Sequence, residues 1–312
     1  MDRVPLQWAT WLGSVISFSV SAGTRSRLIG FVCVIVTAFG WGLNWPATKF
    51  LLSECPPLSA RGVSGAVAGA VLFALAWCRG ETLHVPRSSW RRLAAAALMN
   101  VSVWMGFTTA SMIWLPAGQA ATLAYTMPVW ATLLAWPMLH ERPTRRQAAA
   151  SLLGILGVVI LVGRASLDLD AARAPGVVLA LSAALLFAFG TVLSKRQPIP
   201  LSPIALTAWQ VSIGCLPLLA GGFLLEDAHF AAVSAIGWIA LSYTAIISMG
   251  LCYVLWFAAV RRLRASSAAV GTLLTPVVGV VASSMTLGDP LTASQAAALG
   301  LVGTAIVLTS RR

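Results

Sequence analysis

The polar side chains that could handle a solute fall at helical spacing inside apolar runs. Trp41, Asn44, Trp45 and Thr48 recur at intervals that place them on one side of a helix, as do Asn100, Trp104, Phe107 and Ser111. Gln119, Thr122 and Thr126, with Tyr125 beside them, make a third set. Ser242, Met249, Tyr253 and Trp256 make a fourth, and Thr272 and Thr275 precede Pro276. Amides, hydroxyls and indoles bind solutes by hydrogen bonding and stacking, and a pocket needs apolar walls carrying a few such groups. The same groups also bond helix to helix inside a membrane, for about 0.6–2 kcal/mol each. Both readings stay open for each set.

Chemistry of other kinds has no candidates. Asp2, Glu54, Glu81, Glu141, Asp168, Asp170, Glu226, Asp227 and Asp289 all fall in loops, tails or helix ends, and so do His84, His140 and His229. Ionisable groups inside a membrane mark ion and proton pathways, so a carboxylate-driven proton pump of cationic drugs is disfavoured. Zinc ligation and hydrolytic triads lack residues for the same reason. We therefore expect no catalytic residue, no metal ligand and no cofactor, and do not read the chain as an enzyme. Lys49 and Arg61 are the charges nearest the apolar core. Either they snorkel to the outer interface, or they form a positive rim that attracts a carboxylate.

The elements that must hold these residues are membrane helices. Hydrophobic residues make up 58% of the 312 and charged residues 10%, against about a quarter in a soluble domain. Ten apolar stretches recur, at 28–48, 58–78, 92–112, 118–138, 147–163, 176–194, 203–225, 235–257, 266–287 and 291–309. Each approaches the length of about twenty helical residues that spans the hydrocarbon core, and open backbone cannot face lipid. The net charge of +12 is a topology signal rather than a nucleic-acid footprint. With the N-terminus inside and ten alternating helices, only Lys49, Arg61, Arg164 and Arg173 of the 21 basic residues lie outside. That asymmetry is what the positive-inside rule demands, and it puts both termini in the cytoplasm. Residues 1–27 read as a cytoplasmic tail or interfacial segment, with an extra membrane segment as the alternative. Cys33, Cys78, Cys215 and Cys252 read as small buried hydrophobes, Cys55 as a lone loop cysteine, and no disulfide framework is indicated.

Residues 117–150 reappear at 265–298. At an offset of 148, Pro128, Val129, Leu139, Thr144 and Gln147 each meet an identical residue, as do six alanines, and Glu141 meets Asp289. The first copy leads into the inner loop HERPTRR and the second into the outer loop GDPLT, so the two run in opposite directions. The fold expected is all-α and integral to the membrane: two inverted five-helix repeats, 28–163 and 176–310, joined by the outer linker 164–175. Pro46, Pro128 and Pro276 are expected to kink their helices near a midplane cavity, since a proline frees a backbone carbonyl that a neighbour or a wet cavity must satisfy.

WGLNWPATK in the first helix, PPLSARG opening the second, and LAYTMPVW and LLTPVVG, each followed by an acid near the helix end, resemble the EamA-like branch of the drug/metabolite transporter superfamily over about 28–310. The resemblance implies a secondary transporter of small metabolites in the inner (plasma) membrane, an exporter of amino acids or similar zwitterionic or neutral solutes working by alternating access. It carries Lys49 over as the family's helix-one lysine. FGTVLSK in the sixth helix has lost the tryptophan and asparagine of its counterpart. The substrate-binding set expected is Trp41, Asn44, Trp45, Lys49, Asn100, Trp104, Thr122, Tyr125, Thr126, Tyr253, Thr272 and Thr275. The partners expected are the small-molecule substrate and the lipid bilayer, without nucleic acid; a homodimer is left open. A nucleotide-sugar or sugar-phosphate exchanger is the alternative within transport, and an integral-membrane enzyme or a sensor the alternative outside it.

Overall fold

The computed structural model describes residues 22–111, 113–115, 120, 123–142, 144–162 and 173–287, with 297, 300, 301, 303–305 and 308 of the last stretch. The regular structure among them is helical throughout. The first helix, α1, spans Ala22–Leu51, and α2 spans Pro57–Cys78. Helix α3 runs from Trp90–Ala97 through Leu98–Val103 into Trp104–Ser111. Then follow α4 (Met127–Leu139), α5 (Arg145–Val162), α6 (Ala174–Arg196) and α7 (Pro203–Leu225). Helix α8 joins Ala235–Tyr243, Thr244–Leu251 and Cys252–Arg262, and α9 comprises Ala265–Gly271 and Leu274–Leu287.

Helix starts have local causes. Pro57 and Pro203 open α2 and α7, where the missing N–H costs nothing. Ser202 and Ser234 cap α7 and α8, accepting from Ala205 N at 3.0 Å and Gly237 N at 3.1 Å. Thr144 and Gln147 form a capping box at α5: Gln147 N donates to Thr144 Oγ1 at 3.2 Å, and Thr144 N to Gln147 Oε1 at 3.0 Å.

Six of the described helical stretches are long and apolar enough to cross a membrane: Gly23–Thr48, Pro57–Cys78, Arg87–Ser111, Ala174–Arg196, Pro203–Leu225 and Ala235–Arg262. Met127–Leu139 and Ala265–Gly279 are apolar but shorter. The fourth path is interrupted at Tyr125–Thr126 and the ninth at Thr272–Leu273. Pro128 therefore sits in the first turn of α4, and Pro276 early in the second part of α9, where we expected both inside continuous helices. At the breaks the threonine hydroxyls bond back onto the preceding turn: Thr126 Oγ1 donates to Leu123 O at 2.6 Å, and Thr272 Oγ1 to Ala269 O at 2.7 Å, beside the backbone N–H of the same residues. Pro46 lies inside the continuous α1.

Leu98–Val103 in α3 and Thr244–Leu251 in α8 are π-helical. A π turn holds more residues than an α turn, so helical phase slips across it. The slip overturns one expected face: Met249, Tyr253 and Trp256 are buried, while Ser242, on the other side of the π segment, is exposed.

Helices pack in matched pairs. Helix α1 lies against α8 and α9, while α6 lies against α3 and α4. Helix α2 runs antiparallel to α7 along its length, with Gly62, Gly65 and Gly69 set against Leu219, Cys215 and Ser212. Small residues let two membrane helices approach closely. The outer surface is apolar, with Trp77, Phe223, Leu224, Leu225 and Met285 all about four-fifths exposed. The arginines after α2, α4, α6 and α8 lie at one end of the bundle, called here the basic end. Two cysteines depart from expectation. Cys78 ends α2 on the outside of the bundle and is exposed, while Cys55 folds under the α1–α2 loop into a cluster with Leu51, Ala60 and Val233.

Candidate functional site

A cluster of aromatic side chains from α1, α3, α6 and α8 fills the centre of the bundle beside the two π segments. Trp41 reaches from α1 into α8, its Nε1 donating to Ser248 O at 3.1 Å. Above and below it, Thr37 Oγ1 donates to Cys252 O at 3.3 Å and Thr244 Oγ1 to Asn44 Oδ1 at 3.0 Å. The Trp41 ring stands edge-on to Tyr253 at 5.4 Å and lies 5.9 Å from Trp256. Phe187 of α6 joins Trp256, 5.8 Å away, to Trp104, 4.7 Å away. The Tyr253 hydroxyl donates to Asn100 O at 3.0 Å, in the π segment of α3. The Asn100 amide donates to Gln210 Oε1 at 3.2 Å and to Ser194 Oγ at 3.4 Å, and lies against the bare α-carbon of Gly190.

A second wall forms at the helix breaks. Tyr125 packs with Val270, Leu273 and Val277. Thr126 Oγ1 also accepts from Trp130 Nε1 at 3.2 Å. Thr275 is buried, and its carbonyl faces Gly42 of α1, where an added Cβ would come within 2.9 Å of it. Helix α1 thus presents Trp41 to one wall and Gly42 to the other.

The structure brings Trp41, Asn44, Asn100, Trp104 and Tyr253 together, and sets Tyr125, Thr126, Thr272 and Thr275 around the breaks. The side chains of Trp45 and Lys49 lie outside the described structure, as do Gln119 and Thr122. Asn44 is engaged within the protein, its Nδ2 donating to Thr48 Oγ1 at 3.1 Å while its Oδ1 serves Thr244. Gln210 and Phe187 escaped the sequence reading. Gln210 was visible as the one amide in an otherwise apolar 203–225, whereas nothing in the local sequence sets Phe187 apart. Asn100 Oδ1, Gln210 Nε2, Trp256 Nε1 and Thr275 Oγ1 are buried without a partner among the described residues. Each such atom costs about 1–3 kcal/mol unless something answers it. The arrangement offers stacking and uncharged hydrogen bonds. Among the described residues no acidic or histidine cluster could hold a metal.

Arg61 is the charge in this region. It lies one turn into α2, partly accessible, within electrostatic reach of the Tyr253 hydroxyl and the Cys215 thiol. A cation at membrane depth costs about 2.5–3.5 kcal/mol on insertion scales, so its position calls for an answering group. Glu226 is near in the fold but turned elsewhere: its two oxygens accept from Leu58 N at 2.9 Å and Ser59 N at 2.7 Å, at the positive end of the α2 dipole. Glu54 does the same at α8, accepting from Ser234 N at 2.9 Å and Ser234 Oγ at 2.7 Å.

The basic end is bridged by charge. Glu141 pairs with Lys195 at 3.2 Å and with Arg264 at 3.7 Å. Lys195 also donates to Leu263 O, and Arg264 to Arg142 O at 2.9 Å. Gln147 Nε2 reaches Ser266 Oγ at 3.2 Å. Beside these bridges lies a cavity of about 850 Å³ lined by Arg27, Arg145, Arg146, Arg262 and Arg264.

The model of the EamA-like transporter family matches this chain twice, over residues 28–163 and 174–311. The chain belongs to the EamA-like transporter family. It is a multi-pass membrane protein, and its family and the names of its relatives indicate a transporter rather than an enzyme. Among its EamA-like relatives, the uncharacterized transporter YvbV of Bacillus subtilis is 31% identical over 93% of this chain and 92% of its own. A probable amino-acid metabolite efflux pump of Salmonella typhimurium is 30% identical over 89% of this chain and 93% of its own. A solved crystal structure superposes with a TM-score of 0.79 over 91% of this chain and 97% of that one, at 20% identity, which speaks to the fold alone.

Proposed function

We propose that this chain exports amino acids or similar zwitterionic or neutral solutes across the inner membrane by alternating access. Ten membrane helices form two inverted halves, 28–163 and 176–310, with both termini and the basic end in the cytoplasm. The observation that carries the reading is the matched packing. Helix α1 takes α8 and α9 as α6 takes α3 and α4, the exchange that two inverted copies produce. The third helix of each half carries a π segment and the fourth a break. Irregular backbone at membrane depth belongs where it lines a cavity, and transporters use broken helices around a midplane site.

Uncharged donors and acceptors set among tryptophans suit a small solute with an apolar side chain. The relative whose name refers to amino-acid metabolite efflux supports the same class. The bonds that bridge α1–α8–α9 to α3–α4–α6 lie at the basic end and at the level of Tyr253. The conformer is therefore read as closed toward the cytoplasm.

The test is counterflow in proteoliposomes preloaded with amino acids and small metabolites, scored by mass spectrometry. Exchange of a defined set by the wild type, reduced at least tenfold by Trp41→Ala with normal protein insertion, is the expected result. A folded, inserted wild type that exchanges no solute overturns the reading.

A further inference from the structure

We propose that Arg61 is the cationic contact of the transport site, so that the solute presents a carboxylate to it. This rests on the transporter reading above and narrows its solute class to molecules bearing an anionic group.

The argument starts from where the charge sits and what surrounds it. Arg61 lies one turn inward of the α2 N-terminus, on the helix face shared with Leu58, which packs against the core, and with Gly65, whose bare α-carbon faces Cys215 of α7 and Met249 of α8; Tyr253 and Cys215, both uncharged, are its electrostatic neighbours. Its side chain is therefore directed into the bundle, towards α7 and α8, rather than out to the membrane surface as a snorkelling arginine would be. Among the described residues it has neither an ion pair nor a hydrogen bond. The acid that could have neutralised it, Glu226, holds the backbone amides of Leu58 and Ser59 instead. Of the other two described acids on that side, Glu54 is bound to Ser234, and Asp227 is exposed beyond the end of α7.

A guanidinium held at depth, partly accessible and without an acid of its own, has a mobile partner. Its planar fork matches a carboxylate with two parallel hydrogen bonds, which a lysine in the same place cannot reproduce. Tyr253 fixes the surroundings. Its hydroxyl hydrogen is committed to Asn100 O, so it does not compete as a donor for the arriving anion. Trp41 stands edge-on to the same tyrosine ring and Trp256 lies beside it. A solute anchored by its carboxylate at Arg61 lays its side chain along these rings. Arg61 is also set toward the end of the bundle away from the charge bridges of Glu141, so the anion reaches it from the side that the present conformer leaves unbridged.

The experiment uses the full-length protein in detergent and in proteoliposomes. Thermal stabilisation is measured with each of the twenty L-amino acids and with the same compounds amidated at the carboxyl group. Wild type, Arg61→Lys and Arg61→Gln are compared. The expected result is that any amino acid stabilising the wild type loses its effect on amidation. Arg61→Gln should weaken apparent affinity for that amino acid by roughly thirtyfold or more, and Arg61→Lys should restore part of it. A structural role for Arg61 would not separate acid from amide. Equal stabilisation of the wild type by acid and amide overturns the proposal without need of any variant, which covers the case where Arg61→Gln fails to fold. Counterflow of a neutral amide by wild type and Arg61→Gln alike would overturn the Arg61 assignment and leave the transporter reading standing. A folded wild type that exchanges nothing overturns both.

Discussion

At the scale of single residues, the two cysteines that departed from expectation make a direct test of the packing. Cys78 is exposed, and Cys55 is buried at the α1–α2 loop. Burial pushes the Cys55 thiol above its ordinary range, and the charge of nearby Glu226 pushes it the same way. The thiolate is the reactive form. Raising the pH through the usual thiol value of about 9 should therefore leave Cys55 largely protonated and slow to react. Peptide mass spectrometry after maleimide treatment should find Cys78 modified at neutral pH and Cys55 modified only under strongly alkaline or unfolding conditions. Equal rates at pH 8 would mean that the loop does not fold over Cys55. The faces of Trp41–Asn44 and of Asn100–Trp104 were legible in the sequence, because residues three or four apart share a helix side. Ser242 was not. Its phase relative to Met249 depends on a π segment, which no residue type in TAIISMGL announces. Whether Arg61 snorkels to the outer interface or helps form a positive rim that attracts a carboxylate was open in the sequence for a related reason. A long side chain one turn into a helix can reach either way, and only the neighbours on α7 and α8 decide.

At the scale of elements, the α2–α7 pair shows which glycines matter. A Cβ at Gly62 would meet Leu219 Cα at 2.5 Å and Leu219 N at 2.7 Å, which are backbone atoms that cannot turn aside. A Cβ at Gly69 would meet only the rotatable hydroxyl of Ser212, with Ser212 Cβ next at 3.3 Å. Gly62→Ala must push the helices apart, and overpacking of this kind costs about 1–3 kcal/mol. Gly69→Ala should cost well under 1 kcal/mol, and Ser212→Ala should erase what remains. Unfolding of the variants in detergent measures both, and equal losses at positions 62 and 69 would refute the close approach of α2 to α7. The sequence made the helices themselves readable through long apolar runs. Their ends were partly readable too. Thr144 and Gln147 entered the reading only as matches between the repeats, yet they are the two halves of a capping box. The breaks were harder. A proline in an apolar run is equally compatible with a kink and with the first turn of a new helix, and only the hydrogen bonds of Thr126 and Thr272 decide it.

At the scale of the whole molecule, the bonds at the two ends differ in what they join. Toward the start of α2, Glu54 ties the α1 loop to α8 and Glu226 ties α7 to α2, so both hold together helices that already pack side by side. At the basic end, Arg264 and Leu263, between α8 and α9, meet Glu141, Arg142 and Lys195 of α4 and α6. Those bonds cross from one set of helices to the other and must break if the basic end opens. Glu141 is the member that keeps Lys195 and Arg264 from repelling each other, and its side chain is 17% exposed. Removing its charge should favour opening by about 1 kcal/mol, roughly fivefold in the equilibrium. Ser267 reports the change, being 5% exposed and on the wall of the basic cavity. In a chain whose five native cysteines are replaced, Ser267→Cys should react with maleimide about five times faster when Glu141→Gln is added, and the acceleration should shrink in high salt as screening weakens the lost interaction in the parent. An unchanged rate would show that the trio packs the loop without latching it, and the closure of this end would then rest on the apolar contact of α4 with the first part of α9.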